Sequence, residues 1–148
     1  MKGQEVLRWD GRFRLTGLGD LAYRILVFEP KSPIPCVSID EVRPTPEDVT
    51  VVLERRSLSS AFLEGKVLLA PGSPARGAEL ICYSRLSGYR TAFADGESGG
   101  FRIGPLPPGG YRLEVQFPGA STTEVEVEAL EPDERRDLGR LWASGDPR

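Results

Sequence analysis

The sequence predicts an all-β protein whose antiparallel strands form a two-sheet sandwich. Three observations support this: apolar and polar residues alternate in short runs, turn residues separate those runs, and the sequence contains an internal repeat. Alternation with a period of two is typical of strands that are buried on one face only. In residues 111–117 the odd positions are apolar and the even positions polar. The best helix candidate, residues 46–56, contains Val-Thr-Val-Val-Leu and is more typical of a strand.

The repeat becomes visible when the sequence is shifted by 88 positions. Residues 10–53 then align with residues 98–141 without a gap, and 11 of the 44 aligned positions are identical. Phe13 aligns with Phe101 and Tyr23 with Tyr111. The identities fall on apolar faces and turn residues, where a shared fold requires particular side chains. The sequence therefore predicts two related copies in tandem.

The second copy is long enough for a sandwich of seven strands. We predict strands at residues 65–69, 78–84, 89–94, 101–103, 111–117, 122–128 and 137–141. The first copy is shorter, because by the 88-residue offset its first two strands would lie before Met1. Its predicted strands lie near residues 5–8, 12–16, 23–28, 37–40 and 49–53.

This organisation divides the chain into four segments. Residues 1–56 are predicted to form an N-terminally incomplete sandwich repeat, residues 57–62 a connector, residues 63–142 a complete sandwich and residues 143–148 a tail. Two explanations of the incomplete copy remain open. Either the chain belongs to a longer protein, or another chain supplies strands to its open edges.

Several turn motifs of the second copy are specific enough to suggest a family. An Asp95-Gly96 turn precedes Phe101, Leu-Pro-Pro-Gly-Gly-Tyr follows at residues 106–111, and Leu-Glu-Gly-Lys-Val at 63–67 opens the copy. With these motifs the copy resembles a carboxypeptidase regulatory-like domain, which has a transthyretin-like (prealbumin-like) sandwich related to immunoglobulin-like folds. The first copy keeps a weaker version, Asp-Gly-Arg-Phe at 10–13 and Leu-Gly-Asp-Leu-Ala-Tyr at 18–23.

The resemblance carries expectations about function. Such domains occur beside the catalytic domain of some metallocarboxypeptidases and in many bacterial surface and secreted proteins. Their fold is described as carbohydrate-binding-like. The resemblance thus implies an extracytoplasmic location and a non-catalytic role. The N-terminus has no apolar stretch typical of a signal peptide, so the localisation stays open.

Composition excludes several classes of function. The chain contains no His, which removes the usual general base and the commonest zinc ligand. The formal net charge is −3, so no overall positive field favours nucleic acid, and no apolar stretch is long enough to span a membrane. Cys36 and Cys82 are too few for a disulfide framework and are predicted to be small buried hydrophobic residues. We expect no cofactor and no enzymatic activity.

Candidate reactive groups are carboxylates and one lysine. Asp95 and Glu97 share a turn that could hold a hard cation, but a calcium site needs about six oxygen ligands, so a solvated turn is the simpler interpretation. Asp10 joins them in an enzyme hypothesis based on paired carboxylates. Lys66 could form an isopeptide bond with Asp137 beside a buried acid. The row Glu124, Glu126 and Glu128 is predicted to be a solvated face that Arg102 and Arg112 offset across strands.

Outward-facing apolar residues are the best candidates for a binding surface. If Ala78, Leu80 and Cys82 point into the core, alternation turns Ile81 and Tyr83 outward. Leu26 and Phe28 likewise turn outward on the strand at residues 23–28. Either another module or a second copy of the chain covers these residues, or they form, with Tyr89 or Trp142, an aromatic platform for a sugar ring.

These observations favour a non-enzymatic interaction or spacer module. The expected partner is another protein domain or a second copy of the chain. A carbohydrate-binding module is the alternative, and it requires Tyr83, Tyr89 and Trp142 to converge on one exposed surface.

Overall fold

A computed structural model describes residues 12–46, 49–119 and 122–143. Within these ranges the chain is all-β, with ten strands and a 3-10 turn at Arg55–Ser57. The strands are β1 Tyr23–Phe28, β2 Pro35–Val42, β3 Ala61–Ala70, β4 Ser73–Pro74, β5 Glu79–Ser84, β6 Tyr89–Phe93, β7 Gly100–Leu106, β8 Gly109–Gln116, β9 Thr122–Leu130 and β10 Arg135–Trp142. The described ranges contain no helix that is long and apolar enough to cross a membrane.

Two four-stranded sheets form the sandwich. In the first, which we call the β3 sheet, β3 pairs with β10 on one side and with β4 and β7 on the other. In the second, the β8 sheet, the strand order is β6-β5-β8-β9. Each of the seven strands predicted for the second copy overlaps an observed strand, and the two-residue β4 is an addition.

One core lies between the two sheets. The strongest prediction of the sequence was that residues 111–117 bury alternate side chains, and Tyr111, Leu113 and Val115 are at most 1% exposed. The inward residues of both sheets form a single apolar cluster, and no polar or charged residue of the described ranges is buried. Burial of such side chains stabilises the fold by roughly 1.5–3 kcal/mol each. The described strands from 61 to 142 therefore form one sandwich.

The pairing of β3 with β10 differs from the predicted antiparallel arrangement. These two strands run parallel, with Asp137 opposite Glu64 and Leu141 opposite Val67. The alternation of side chains is the same in parallel and antiparallel pairs, so periodicity does not distinguish them. The other paired strands of the described ranges are antiparallel.

The first copy contains fewer strands than predicted. Strands β1 and β2 form an antiparallel hairpin, but residues 12–16 and residues 49–53 are not strands. The predicted strand at residues 5–8 lies outside the described residues. The prediction of about five strands was therefore wrong at both tested positions outside the hairpin.

The 88-residue alignment relates these two segments to strands of the sandwich that pair with β3. By the 88-residue offset, residues 12–16 correspond to part of β7 and residues 49–53 to part of β10, and both β7 and β10 pair with β3. The counterparts of β8 and β9 pair with each other, so β1 and β2 need no third strand.

The tip of the β1–β2 hairpin closes one end of the sandwich. Ile34 is 1% exposed and belongs to the core cluster of the sandwich. The Glu29 carboxylate accepts the backbone N–H of Ser59 at 2.9 Å. Gly88, in the β5–β6 turn, leaves room for the tip, since a Cβ there would lie 2.1 Å from the carbonyl oxygen of Pro33. The first copy thus contributes a side chain to the core of the second.

Candidate functional site

The outer face of the β8 sheet collects most of the side chains that the sequence pointed to. Cross-strand pairing arranges its residues in three rows running from β6 through β5 and β8 to β9. The rows are Tyr89-Tyr83-Arg112-Glu126, Thr91-Ile81-Glu114-Glu124 and Phe93-Glu79-Gln116-Thr122. The β5–β6 half is largely apolar and the β8–β9 half is largely acidic. The face therefore combines an aromatic surface with a charged border.

Tyr83 and Tyr89 form an aromatic pair because the β5–β6 hairpin places them directly opposite each other. Their ring centroids are 5.7 Å apart and the ring planes are tilted by 47°. Such tilted aromatic pairs stabilise by about 0.5–1.5 kcal/mol beyond the area that they bury. Tyr89 is 55% exposed. The pair is thus held in place by the hairpin while one ring remains open to solvent.

Two arginines border the aromatic pair. The guanidinium of Arg112 lies 4.9 Å from the ring centroid of Tyr83, within the range of a cation–π contact, and 3.6 Å from the Glu124 carboxylate. Arg85 donates to the Glu126 carboxylate at 2.9 Å. A shallow depression, which we call the Tyr83 depression, is lined by Tyr83, Ser84, Arg85, Arg112 and Glu126. It offers one aromatic ring together with planar charged groups.

Strand β6 forms the edge of this sheet. One backbone hydrogen bond shows which of its residues bond to β5 and which point away from it. Ala94 donates its N–H to the carbonyl oxygen of Ala78 at 3.0 Å. In an antiparallel pair, hydrogen-bonded positions alternate, so Ala92 and Arg90 face β5. The N–H and C=O groups of the alternate positions, Tyr89, Thr91 and Phe93, point away from β5. Those groups are directed toward the open side of the edge.

Phe93 makes this edge unusually apolar. Its side chain is 66% exposed, and it lies on the same outer face as Tyr89 and Thr91. Large exposed apolar patches on a protein surface mark contact sites more often than isolated exposed residues do. Phe93 is not among the surface residues predicted from the sequence. The pairing of β5 with β6 through a short turn was the signal that could have placed it beside Glu79.

Of the other predicted surface residues, Ile81 lies on this face and Trp142 does not. Ile81 stands in the middle row beside Thr91. Trp142 belongs to the β3 sheet, where it is opposite Leu68. Because its neighbours Leu141 and Ala143 both belong to the core cluster, Trp142 points to the outer side of that sheet. Trp142 therefore does not converge with the tyrosines, as the carbohydrate-binding alternative requires, since the sheet to which a strand belongs is not encoded in its alternation.

Leu26 and Phe28 lie on the β1–β2 hairpin, separate from the β8 sheet. Phe28 is 46% exposed, whereas Leu26 is half-buried like Ile25 and Val27. The predicted contrast between an inner and an outer face is therefore weak on β1. A two-stranded sheet that docks mainly by its tip covers neither face fully.

The outer face of the β3 sheet has a different character. The ring of Phe62 lies 4.1 Å from the guanidinium of Arg102 and 5.9 Å from that of Arg135, measured from the ring centroid. Arg102 also pairs with Glu64 at 3.4 Å. The prediction that Arg102 offsets the glutamate row of β9 was wrong, because the two strands belong to different sheets. The same prediction for Arg112 is confirmed.

The isopeptide hypothesis lacks the groups that it needs. Lys66 is opposite Arg140 and Asp137 is opposite Glu64, and both candidate residues are exposed. No carboxylic acid within the described ranges is buried. Without a buried acid beside the pair, proton transfer during crosslinking has no donor.

The Asp95 turn uses its carboxylate internally. The same oxygen accepts the backbone N–H of Ser98 at 2.8 Å, the Ser98 hydroxyl at 2.9 Å and the N–H of Glu97 at 3.1 Å. These bonds, led by the Ser98 N–H, lower the pKa of Asp95. No group of three or more potential metal ligands occurs in the described part of the chain. Asp10, the third carboxylate of the enzyme hypothesis, lies outside the described residues.

The two cysteines occupy different environments. Cys82 is fully buried in the core, as predicted, and burial raises the pKa of its thiol to about 12. Cys36 is only half-buried, and its pKa is raised by burial and by the nearby charge of Glu29. Neither forms a disulfide. Cys36 is less buried than predicted because its strand belongs to the two-stranded hairpin.

Comparison with known proteins gives a weak structural similarity and no sequence match. No protein-family model matches the chain, and no curated protein sequence matches it. Among solved structures the chain is similar to the 5-hydroxyisourate hydrolase of Klebsiella pneumoniae, with a TM-score of 0.44 and 15% sequence identity. That match covers 62% of this chain and 94% of the other. The class of protein defined here, a two-sheet β-sandwich with a docked hairpin, follows from the sheets and the shared core.

Proposed function

We propose that this chain is a non-enzymatic protein-interaction module of the carboxypeptidase regulatory-like family, and that its contact surface is the apolar half of the β8 sheet's outer face. The observation that carries the proposal is the row of outward side chains on β6, where Tyr89 and Phe93 are 55% and 66% exposed. Aromatic residues are enriched at protein interfaces because they bury a large area at low entropic cost.

The core supports this assignment because it is filled without these residues. The inward side chains of β5, including Leu80 and Cys82, are fully buried, whereas the outward ones contribute nothing to that cluster. Exposed aromatic side chains on a rigid sheet are therefore available for a partner at little cost to the fold. The ion pairs of Arg85 with Glu126 and of Arg112 with Glu124 border this apolar half, and a polar rim around an apolar centre is typical of protein interfaces.

A peptide selection tests the proposal. Random displayed peptides are selected on the wild-type protein and then tested against the double variant Tyr89→Ser/Phe93→Ser and the control Leu86→Ser. Leu86 is 45% exposed but lies in the β5–β6 turn rather than on the face. We expect enriched peptides that bind the wild type and the control and lose roughly tenfold or more in affinity for the double variant. Peptides that bind all three proteins equally would contradict the proposal.

A carbohydrate-binding role is the second candidate in a reduced form without Trp142, which lies on the other sheet, and the Tyr83 depression is the observation that favours it. Sugar rings stack on aromatic faces, and their hydroxyls hydrogen-bond to planar side chains such as those of Arg112 and Glu126. A glycan array with the wild type and with Tyr83→Ala, Arg112→Ala and Phe93→Ser tests it. This role predicts glycan binding that the first two variants abolish and Phe93→Ser retains. An array without signal would reject it.

The resemblance of the 63–67, 95–101 and 106–111 motifs also implies the setting of the module. We place it in a larger bacterial surface or secreted protein, where it would act as a spacer or contact domain. Fractionation of the source cell, followed by immunodetection of the chain, tests this placement. Recovery of the chain in the cytoplasmic fraction alone would contradict it.

A further inference from the structure

Residues 49–53 are a strand-forming sequence without a sheet. The segment reads Val-Thr-Val-Val-Leu, and β-branched residues of this kind are strongly enriched in strands. It lies outside all three sheets, and Val49, Val52 and Leu53 are 42%, 71% and 43% exposed. Its counterpart in the second copy belongs to β10, which pairs with β3. The segment therefore has the sequence of a paired strand and no pairing partner in the described ranges.

Strand β6 has the opposite property, since it is a formed strand with an unused edge. The backbone groups of Tyr89, Thr91 and Phe93 point away from β5, and the described ranges contain no backbone–backbone hydrogen bond from these residues to another strand. Open edges of this kind accept an additional strand from another chain. The segment and the edge are each five residues long.

We propose that residues 49–53 of one copy of this chain add to the β6 edge of a second copy as an antiparallel strand. This names the partner for the proposed interaction function and rests on it. Each copy offers one segment and one edge, so two copies related by a twofold axis satisfy both at once. A second copy is therefore the proposed partner, because one chain contains both the segment that adds and the edge that accepts it.

Side-chain pattern selects the register. With Val51 opposite Thr91, Val49 lies beside Phe93 and Leu53 beside Tyr89. All three added side chains then extend the apolar rows on the outer face of the β8 sheet. A shift by one residue would place Thr50 beside Phe93 and Glu54 beside Tyr89, leaving a charged residue next to an aromatic ring. Cross-strand apolar pairs are stabilising, so the first register is preferred.

Proline variants test the proposal without removing a native hydrogen bond. The N–H of Thr91 points away from β5, so Thr91→Pro blocks an added strand and leaves the β5–β6 bonds in place. Val51→Pro blocks the donor segment, which is not part of a sheet. Thr91→Val and Val51→Thr are the matched controls. Light scattering and sedimentation at several concentrations give the mass, and circular dichroism confirms folding of each variant.

The expected result is a dimeric wild type, dimeric controls and proline variants whose dissociation constants rise by roughly tenfold or more, since a lost backbone bond and a steric clash act together. A mixture of the two proline variants should regain association, because Thr91→Pro still offers a segment and Val51→Pro still offers an edge. A monomeric wild type would overturn the proposal.

The experiment also separates this proposal from the proposed function. Dimers that withstand both proline variants but dissociate with Tyr89→Ser/Phe93→Ser would overturn strand addition while supporting the apolar face as a contact surface. If the wild type is monomeric, the peptide selection described above still decides whether the face binds other proteins.

Discussion

The hairpins β1–β2 and β8–β9, which the 88-residue alignment places in correspondence, differ in how deeply they are buried. Tyr23 and Tyr111 occupy equivalent positions, and each hydroxyl bonds to the backbone four residues earlier, at Gly19 and Pro107 respectively. Tyr111 is 1% exposed, whereas Tyr23 is only half-buried. The local turn is thus retained in both copies, but only the second hairpin is covered by an opposing sheet.

The registers of the two hairpins also differ. Ile25 is opposite Ile39, but its counterpart Leu113 is opposite Val125, two residues away from the position that the repeat predicts. An even shift keeps the same side chains on the same face, so the alternating pattern tolerates it. The comparison teaches that sequence similarity preserved turn chemistry and facing, while burial depends on which strands are present to pair and pack.

The largest expected effect comes from truncating equivalent core positions. Leu113→Ala removes a fully buried side chain and should lower the free energy of unfolding by about 2–5 kcal/mol. Ile25→Ala removes a half-buried one and should cost about 1 kcal/mol. Chemical denaturation of both variants measures the difference. Equal losses would mean that the first hairpin is packed as tightly as the second.

The hairpin tip should have the next largest effect. Ile34→Ala should destabilise the sandwich by about 2 kcal/mol, although Ile34 belongs to the first copy, because its side chain is part of the core. Gly88→Ala should act similarly, since its Cβ would collide with Pro33 and the residue has a φ of +76°. Gly72→Ala, at a positive-φ glycine with open space, controls for backbone strain. If Gly88→Ala and Gly72→Ala cost the same, the tip contributes little.

Removing the tyrosine hydroxyls should give a smaller difference in unfolding free energy between the two hairpins. Tyr111→Phe leaves the buried carbonyl oxygen of Pro107 without its donor and should cost about 1–3 kcal/mol. Tyr23→Phe leaves groups that water can reach, so we expect a loss below about 0.5 kcal/mol. Thermal unfolding of the two variants compares them. A larger loss of stability for Tyr23→Phe than for Tyr111→Phe would contradict the conclusion that only the second hairpin is covered by an opposing sheet.

The smallest effect at neutral pH concerns the cysteines. Burial raises the pKa of Cys82 from its ordinary value of 9.0 to about 12, so its contribution to stability is present below pH 9 and is lost as the pH rises toward 12. Cys82→Val should reduce this loss of unfolding free energy at high pH more than Cys36→Val does. Unfolding free energies measured from pH 8 to 11 test this. Similar slopes for both variants would contradict the difference in burial.

The sequence predicted those parts of the molecule that depend on local pattern. The alternation in β5 and β8 correctly turned Cys82 and Leu113 inward, and the turn motifs correctly separated β6 from β7. Residues 49–53 show the limit, because their pattern is that of a strand but pairing needs a second strand. The burial of Ile34 was not predictable from alternation, since it lies in a loop whose position depends on distant contacts.

The candidate site was predicted in part for the same reason. Tyr83 and Tyr89 were identified, and their contact follows from a hairpin with a short turn. Trp142 was grouped with them wrongly because nothing local assigns β10 to the other sheet. Phe93 was missed as a surface residue, and Arg112 was predicted as a partner of the glutamate row but not as a neighbour of Tyr83, since both placements arise from rows that cross four strands.

The β6 side of the β8 sheet, rather than the β1–β2 hairpin, is the proposed contact surface, and a second copy is its proposed occupant. Hydrogen exchange followed by mass spectrometry at low and high protein concentration gives the sharpest test. We expect high concentration to protect the amides of residues 49–53 and of Tyr89–Phe93 and to leave β1 unchanged. Protection confined to Tyr23–Phe28, or no change at any concentration, would contradict it.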